Sequence, residues 1–259
     1  MPLPSGLGVR IHYNIFIINC QLSIKMFQFK KFTIQQDRCA MKVGTDSVLL
    51  GTWCPIDNKP FSVLDIGAGT GVLSLMLAQR SNAEQIDAIE IDENAYEQCV
   101  ENFEASPWSD RLFCFHAGLD EFVEEPEDEY DIIISNPPFY SGDYKTENEQ
   151  RDLARFQDAL PFEELVEAAS LLLSENGIFA VIIPFKEETH FIALAKELEL
   201  FLFKITRVKG IPTSEIKRSL LAFSRIEKPI EQNELVIETA RHQYTEEYIS
   251  LTSAFYLKM

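Results

Sequence analysis

Apolar residues in this chain gather into two kinds of segment, and their order predicts the architecture. Unbroken runs without helical spacing, near residues 61–66, 86–91, 111–116, 130–135, 177–183, 200–208 and 218–226, read as strands. Between them, apolar positions at helical spacing near 71–80, 93–104, 161–174 and 186–198 read as helices. Regular alternation of strand and helix predicts an α/β fold, a parallel sheet with crossover helices. Only Gly210-Ile211-Pro212-Thr213 separates the last two strands, so these two are expected to be antiparallel. A final helix near 245–257 would pack Tyr248, Leu251, Ala254 and Phe255 on one face as core. No repeat or low-complexity linker interrupts the pattern, and 259 residues with 46% hydrophobic content can bury one full core.

Two of the predicted strands end in chemistry. The first, Ser62-Val63-Leu64-Asp65-Ile66, runs into Gly67-Ala68-Gly69-Thr70-Gly71 and then a helix, a nucleotide-binding βα turn. A nicotinamide enzyme would carry a third glycine where Val72 stands, so the dinucleotide fingerprint fails at its last position. Asp65, directly before the glycines, does not suit pyrophosphate but does suit a ligand with a cationic amino group, as S-adenosylmethionine is. About twenty residues on, the next strand ends in Glu90, the usual place of an acceptor for ribose hydroxyls.

The fourth strand, Tyr130-Asp131-Ile132-Ile133-Ile134-Ser135, ends in Asn136-Pro137-Pro138-Phe139. Prolines hold this tetrapeptide extended and donate no hydrogen bond, which leaves the carbonyls before them free to accept. The Asn136 side-chain oxygen and the Pro137 carbonyl are two acceptors for the two hydrogens of an exocyclic amine, and Phe139 can stack on the ring that bears it. Asn-Pro is also ordinary turn chemistry, so the clamp gains its meaning from the glycine turn upstream. By themselves these residues leave adenine, guanine and glutamine amides open as substrates.

Together, Asp65, Gly67, Gly69, Gly71, Glu90 and Asn136-Pro137-Pro138-Phe139 resemble the class I S-adenosylmethionine-dependent methyltransferases that act on exocyclic amines. Phe29-Lys30-Lys31-Phe32, the stretch Asp37 to Asp46, Ser106-Pro107-Trp108, Gln150-Arg151, Ala154-Arg155, Leu220 to Ser224 and Ala254-Phe255-Tyr256-Leu257 are similar to the bacterial family that methylates adenine N6 beside the anticodon of a valine tRNA, tRNA1(Val). The resemblance implies a Rossmann-like, seven-stranded, mostly parallel sheet with one antiparallel strand and helices on both faces. It also implies S-adenosyl-L-methionine as cofactor, with Thr45 and Asp46 closing its pocket. Pro138 and Tyr140 would complete the substrate side of the clamp. An aspartate that approaches the cofactor's adenine in the family has Leu119 at its place here, and Asp120 follows as the candidate. Ribosomal RNA guanine-N2 and protein-glutamine N5 methyltransferases share the clamp and remain the alternatives, separated only by the matches at the two chain ends.

Composition trims the remaining possibilities. Five cysteines in no C-x-x-C spacing and four scattered histidines suggest no disulfide framework and no metal site. No apolar run is long enough for a membrane span, so a cytoplasmic enzyme is expected. A net charge of −18 is unusual for an RNA partner. Its distribution eases the conflict, because between Ser81 and Asp131 many acids face only Arg111, which suggests a solvated half of the sheet. Lys204, Arg207, Lys209, Lys217, Arg218, Arg225 and Lys228 are opposed nearby only by Glu215 and Glu227, while Lys30, Lys31, Arg38 and Lys42 form a second cluster and Arg151 and Arg155 a third. Jointly they read as a phosphate-tracking surface for tRNA. The polar stretch 141–150 after the clamp reads as a lid over the substrate base. Residues 1–25 match nothing in the family and read as an extension before a start at Met26, leaving 26–259 as the methyltransferase domain.

Overall fold

The structure, a computed structural model, describes residues 25–124, 129–138 and 160–258. Phe139, Tyr140, Arg151 and Arg155, the expected lid and the extension up to residue 24 lie outside them. A hairpin of β1 (Met26–Gln28) and β2 (Thr33–Gln35) leads through α1 (Thr45–Trp53) to the alternating part of the chain. There follow β3 (Ser62–Ile66), α2 (Val72–Arg80), β4 (Gln85–Glu90), α3 (Glu93–Glu104), β5 (Leu112–His116), α4 (Leu119–Glu124) and β6 (Tyr130–Ser135). After the clamp come α5 (Phe162–Leu172), β7 (Leu173–Pro184), α6 (Glu188–Glu197), β8 (Phe201–Lys209) and β9 (Ile216–Ser224). β10 (Glu231–Val236), the small hairpin β11 (Glu238–Ala240) and β12 (Gln243–Tyr244), and α7 (Glu246–Thr252) complete the described chain.

The main sheet has the order β10-β8-β9-β7-β6-β3-β4-β5. Every pairing is parallel except those of β9, which runs antiparallel to both β7 and β8, as the missing helix between β8 and β9 foretells. Among the described residues the sheet is eight-stranded rather than seven-stranded because β10 pairs in parallel with β8. Its sequence, Glu-Gln-Asn-Glu-Leu-Val, buries only Leu235, so no apolar run announces it. Strand alternation divides the core between two faces. Ile132, Ile134, Ile178, Ala180 and Ile182 pack under α1 and α2, whereas Ile133, Phe179, Val181 and Ile183 pack under α5 and α6.

The first and last segments of the described residues form a layer of their own. Phe29 is buried between Phe32 and Phe255, with ring centroids at 4.7 and 6.2 Å, and Lys30 N donates to the Phe255 carbonyl at 2.8 Å. α7 stops at Thr252 instead of reaching 257, since the backbone turns there to bring Tyr256 into a bridge with Phe29. Tyr248 and Phe255 are core as expected, but the turn leaves Ala254 exposed. This layer packs against α1, the element that overhangs the site.

Candidate active site

Strand order alone brings the two motifs together. β3 and β6 are neighbours with Asp65 opposite Ile134, so their carboxyl ends lie side by side, and Ser135 Oγ donates to the Ile66 carbonyl at 2.8 Å. From β3 the sheet proceeds to β4 on one side and to β6 on the other, which makes this the switch point where open α/β sheets bind ligands.

The glycine turn is built from left-handed backbone. Gly67, Gly69 and Gly71 have φ of 72°, 55° and 75°, a region that side chains with a Cβ strain to enter. Gly67 N and Ala68 N both donate to the Ile89 carbonyl at 3.0 Å, which pins the turn to the end of β4. A Cβ on Gly67 or Gly69 would meet nothing within 4 Å, so both are turned to open space, whereas one on Gly71 would lie 2.5 Å from Phe103 and 2.7 Å from Cys99. The first two glycines therefore leave a cradle and the third allows close packing of α3. Gly71→Ala is expected to destabilise the fold by about 2 kcal/mol through the clash and the positive φ. Denaturant unfolding measures it; an unchanged midpoint would contradict the packing role.

Acidic groups surround this cradle. Asp65 is fully buried; its Oδ2 accepts from Ser74 N at 3.1 Å and Ser74 Oγ at 2.8 Å, and its Oδ1 has no partner among the described residues. Burial pushes its pKa up to about 7, against the pull of the Ser74 bonds and with a further rise from the Glu90 charge. Glu90 Oε2 accepts from Gly69 N at 2.8 Å and Oε1 from Asp92 N at 2.9 Å, so its carboxylate is fixed at the lip of the turn. An orphaned buried carboxylate oxygen beside two glycines that leave space fits the cationic amino-acid end of S-adenosylmethionine. Asp120, in the first turn of α4, is exposed, with its carboxylate folded over Gly118. Leu119 turns instead into the core under α5 and is half-buried there. Ile91, two-thirds exposed directly after Glu90 and close to Gly118, offers an apolar surface here that sequence reading passed over.

At the clamp, Asn136 Nδ2 donates to Ser47 Oγ of α1 at 3.1 Å, and Asn136 Oδ1 is buried with no partner among the described residues. Pro137 is buried and Pro138 half-buried. α1 is thus a wall of the site. Thr45 at its start is exposed and lines a cavity of about 570 Å³ with Phe27, Tyr248 and Tyr256. Asp46 is held by Arg218 Nε of β9 at 2.8 Å. The segment before α1 is moored to α3: Asn102 accepts from Gln35 N at 2.7 Å and donates to the carbonyls of Gln35 and Thr70, both at 2.9 Å. Asn102 therefore ties the N-terminal wall to the glycine turn; as a lone amide in a predicted helix it carried no sequence signal.

The charge clusters look different in three dimensions. Arg207 forms a forked pair with the buried Glu188, Lys209 pairs with Glu234 at 2.9 Å, and Arg225 donates to the carbonyls of Ser170 and Leu173. Arg38 pairs with Glu97 and Glu101 of α3. The expectation that only Glu215 and Glu227 oppose the basic cluster from Lys204 to Lys228 is thus corrected, because the fold brings Glu188, Glu234 and Asp46 to it from distant positions. Lys42, Lys186 and Lys217 are exposed, Lys186 just past the carboxyl end of β7 and Lys217 at the amino end of the antiparallel β9, on the same rim of the sheet as the clamp. On the acidic side Asp87 is buried, accepting from Tyr130 Oη at 2.8 Å and Gln85 Nε2 at 2.6 Å, so not every acid there is solvated.

Comparison with known proteins fits this geometry. The family model of the methyltransferase small domain matches residues 42–201. A tRNA1(Val) (adenine(37)-N6)-methyltransferase of Flavobacterium johnsoniae is 76% identical over 235 residues, covering 90% of this chain and all of the relative. Proteins of the same name from Christiangramia forsetii and Bacteroides fragilis are 59% and 43% identical, each over 92% of this chain and all of the relative. Among solved structures, a predicted O-methyltransferase from Agrobacterium tumefaciens superposes with a TM-score of 0.64 at 19% identity, covering 81% of this chain and 96% of that one, which is a likeness of fold. With its glycine cradle, its orphaned acceptors and relatives matched over their full length, the chain belongs to the tRNA1(Val) (adenine(37)-N6)-methyltransferase family.

Proposed function

We propose that this enzyme methylates the exocyclic N6 of adenine 37 in tRNA1(Val), with S-adenosylmethionine as donor. The observation that carries the reading is the Asn136 amide, whose nitrogen is engaged by Ser47 while its oxygen stays buried and unpaired among the described residues at the carboxyl end of β6. When bound, S-adenosylmethionine supplies an electrophilic methyl group on a sulfonium. Asp65 and the cradle of Gly67, Gly69 and Gly71 would hold its amino-acid end, Glu90 its ribose, and Ile91 and Asp120 its adenine, with Thr45 and Asp46 in the adjoining wall.

Adenine N6 is a poor nucleophile because its lone pair is delocalised into the ring. Asn136 Oδ1 and the Pro137 carbonyl, by accepting both N6 hydrogens, draw that lone pair back onto nitrogen and fix its direction. Holding reactants in a near-attack arrangement can contribute roughly 7–11 kcal/mol towards a barrier. Phe139, Pro138 and Tyr140 are assigned to the base itself, which an anticodon loop can present unstacked at low cost. Lys42, Lys186 and Lys217, with Arg151 and Arg155, are assigned to the flanking phosphates, and a modest number of such contacts suits an enzyme of net charge −18.

Incubation with labelled S-adenosylmethionine and separate pools of tRNA, ribosomes and release factors tests this directly. Label is expected in tRNA, recovered after digestion as N6-methyladenosine at position 37 of tRNA1(Val). Recovery as N2-methylguanosine in ribosomal RNA, or as methylglutamine in protein, would overturn the reading.

A further inference from the structure

We infer that Ser47 is a positioning residue for the amine clamp, an inference that rests on the reading of Asn136 given above. The two ends of an asparagine amide are nearly the same shape, but only its oxygen can accept from an amine whose lone pair is delocalised. A flipped amide would set donors against donors. The Asn136 Nδ2 to Ser47 Oγ bond, at 3.1 Å, anchors the amide against α1, and in this arrangement Oδ1 is buried and unpaired among the described residues. A buried acceptor without a partner is costly, which is tolerable where a substrate will supply the donor.

Ser47 is itself held by contacts from elsewhere in the fold. Gly44 opens α1 without a side-chain cap, so the first turn depends on tertiary anchors. Asp46, the preceding residue, is held by Arg218 of β9 at 2.8 Å, and Val43 N donates to Gln36 Oε1 at 3.0 Å. The antiparallel strand is thereby linked, through Arg218, Asp46 and the backbone of α1, to the orientation of one amide on β6. Ser47 touches no reacting atom in this account and acts through Asn136.

The test is a double-substitution cycle on the full chain, read with tRNA1(Val) and S-adenosylmethionine. Ser47→Ala is expected to lower kcat about tenfold, with KM for tRNA and the affinity for S-adenosylhomocysteine within about twofold of wild type. Ser47→Thr, which keeps the hydroxyl, is expected to restore most of the loss. In an Asn136→Ala background, adding Ser47→Ala should change kcat by less than about twofold. Unchanged kcat in Ser47→Ala, an additive loss in the double variant, or a loss carried by cofactor affinity or by the melting temperature would overturn the assignment. Failure of the wild-type chain to label adenine N6 would instead count against the function reading, so the two failures are distinguishable.

Discussion

Asn136→Ala is expected to lower kcat by about 100- to 1,000-fold while leaving the affinity for S-adenosylhomocysteine within about twofold. Both halves of this expectation follow from where the amide sits. It projects from the carboxyl end of β6, its nitrogen bound to Ser47 and its oxygen unpaired among the described residues, whereas Asp65, the glycines and Glu90, assigned to the amino-acid end and ribose of the cofactor, lie on β3, β4 and the turn between β3 and α2. Removing a preorganised acceptor takes away stabilisation of the charge that develops on N6, an interaction the ground state uses little. Truncation also frees the Ser47 hydroxyl without opening the glycine turn, whose bonds run to Ile89 and Glu90. Single-turnover methylation of tRNA1(Val) together with calorimetric titration of S-adenosylhomocysteine separates the effects. A loss expressed mainly in cofactor affinity would mean that Asn136 belongs to the cofactor wall and that the clamp assignment is wrong.

Elements with a one-sided or unbroken apolar pattern were legible in the chain, and elements without one were not. The strands β3 to β9 and the helices α2, α3, α5 and α6 stand within a few residues of their predicted places, because burial on one face or both leaves an unmistakable spacing. α1 escaped because Val48 to Trp53 are all buried, so a nine-residue helix shows no polar face to set its period. β10 escaped for the opposite reason, being an edge strand with four exposed polar residues. At the site, Asp65, the three glycines, Glu90 and Asn136 could be named from sequence because each stands at a strand end or carries a special backbone. Ser47, Asn102 and the partners of the arginines could not, since each owes its role to a contact more than fifteen positions away along the chain. Residue charge counted along the sequence therefore overstated the basic surface, while the strand ends that carry Asp65, Glu90 and Asn136 stand where the apolar runs placed them.

Cofactor binding is expected to release about half a proton at pH 7, and to weaken as the pH falls below that value, because of Asp65. Its burial raises the carboxyl pKa to about 7, whereas in the unfolded chain it titrates near its ordinary 3.8. Between these values the folded chain holds a proton that the unfolded chain has lost, so this residue's contribution to stability falls as pH rises through the window, and the cost is complete above about pH 7. An ammonium group placed near the orphaned Oδ1 reverses the preference, since the ionised carboxylate then gains an opposite charge. Half of the sites are protonated when the pH equals the pKa, which sets the expected release. Asp65→Asn removes the charge while keeping an acceptor for Ser74, so it is expected to bind S-adenosylhomocysteine about 100-fold more weakly at pH 8 and to show little dependence on pH between 6 and 8. The same variant should be no less stable than wild type at pH 8, because it buries no ionised group. Calorimetry in two buffers of different ionisation enthalpy, with thermal melts of the unliganded proteins, measures all three quantities. Zero proton release by wild type, or wild-type affinity in Asp65→Asn at pH 8, would show that the carboxylate does not receive the amino group.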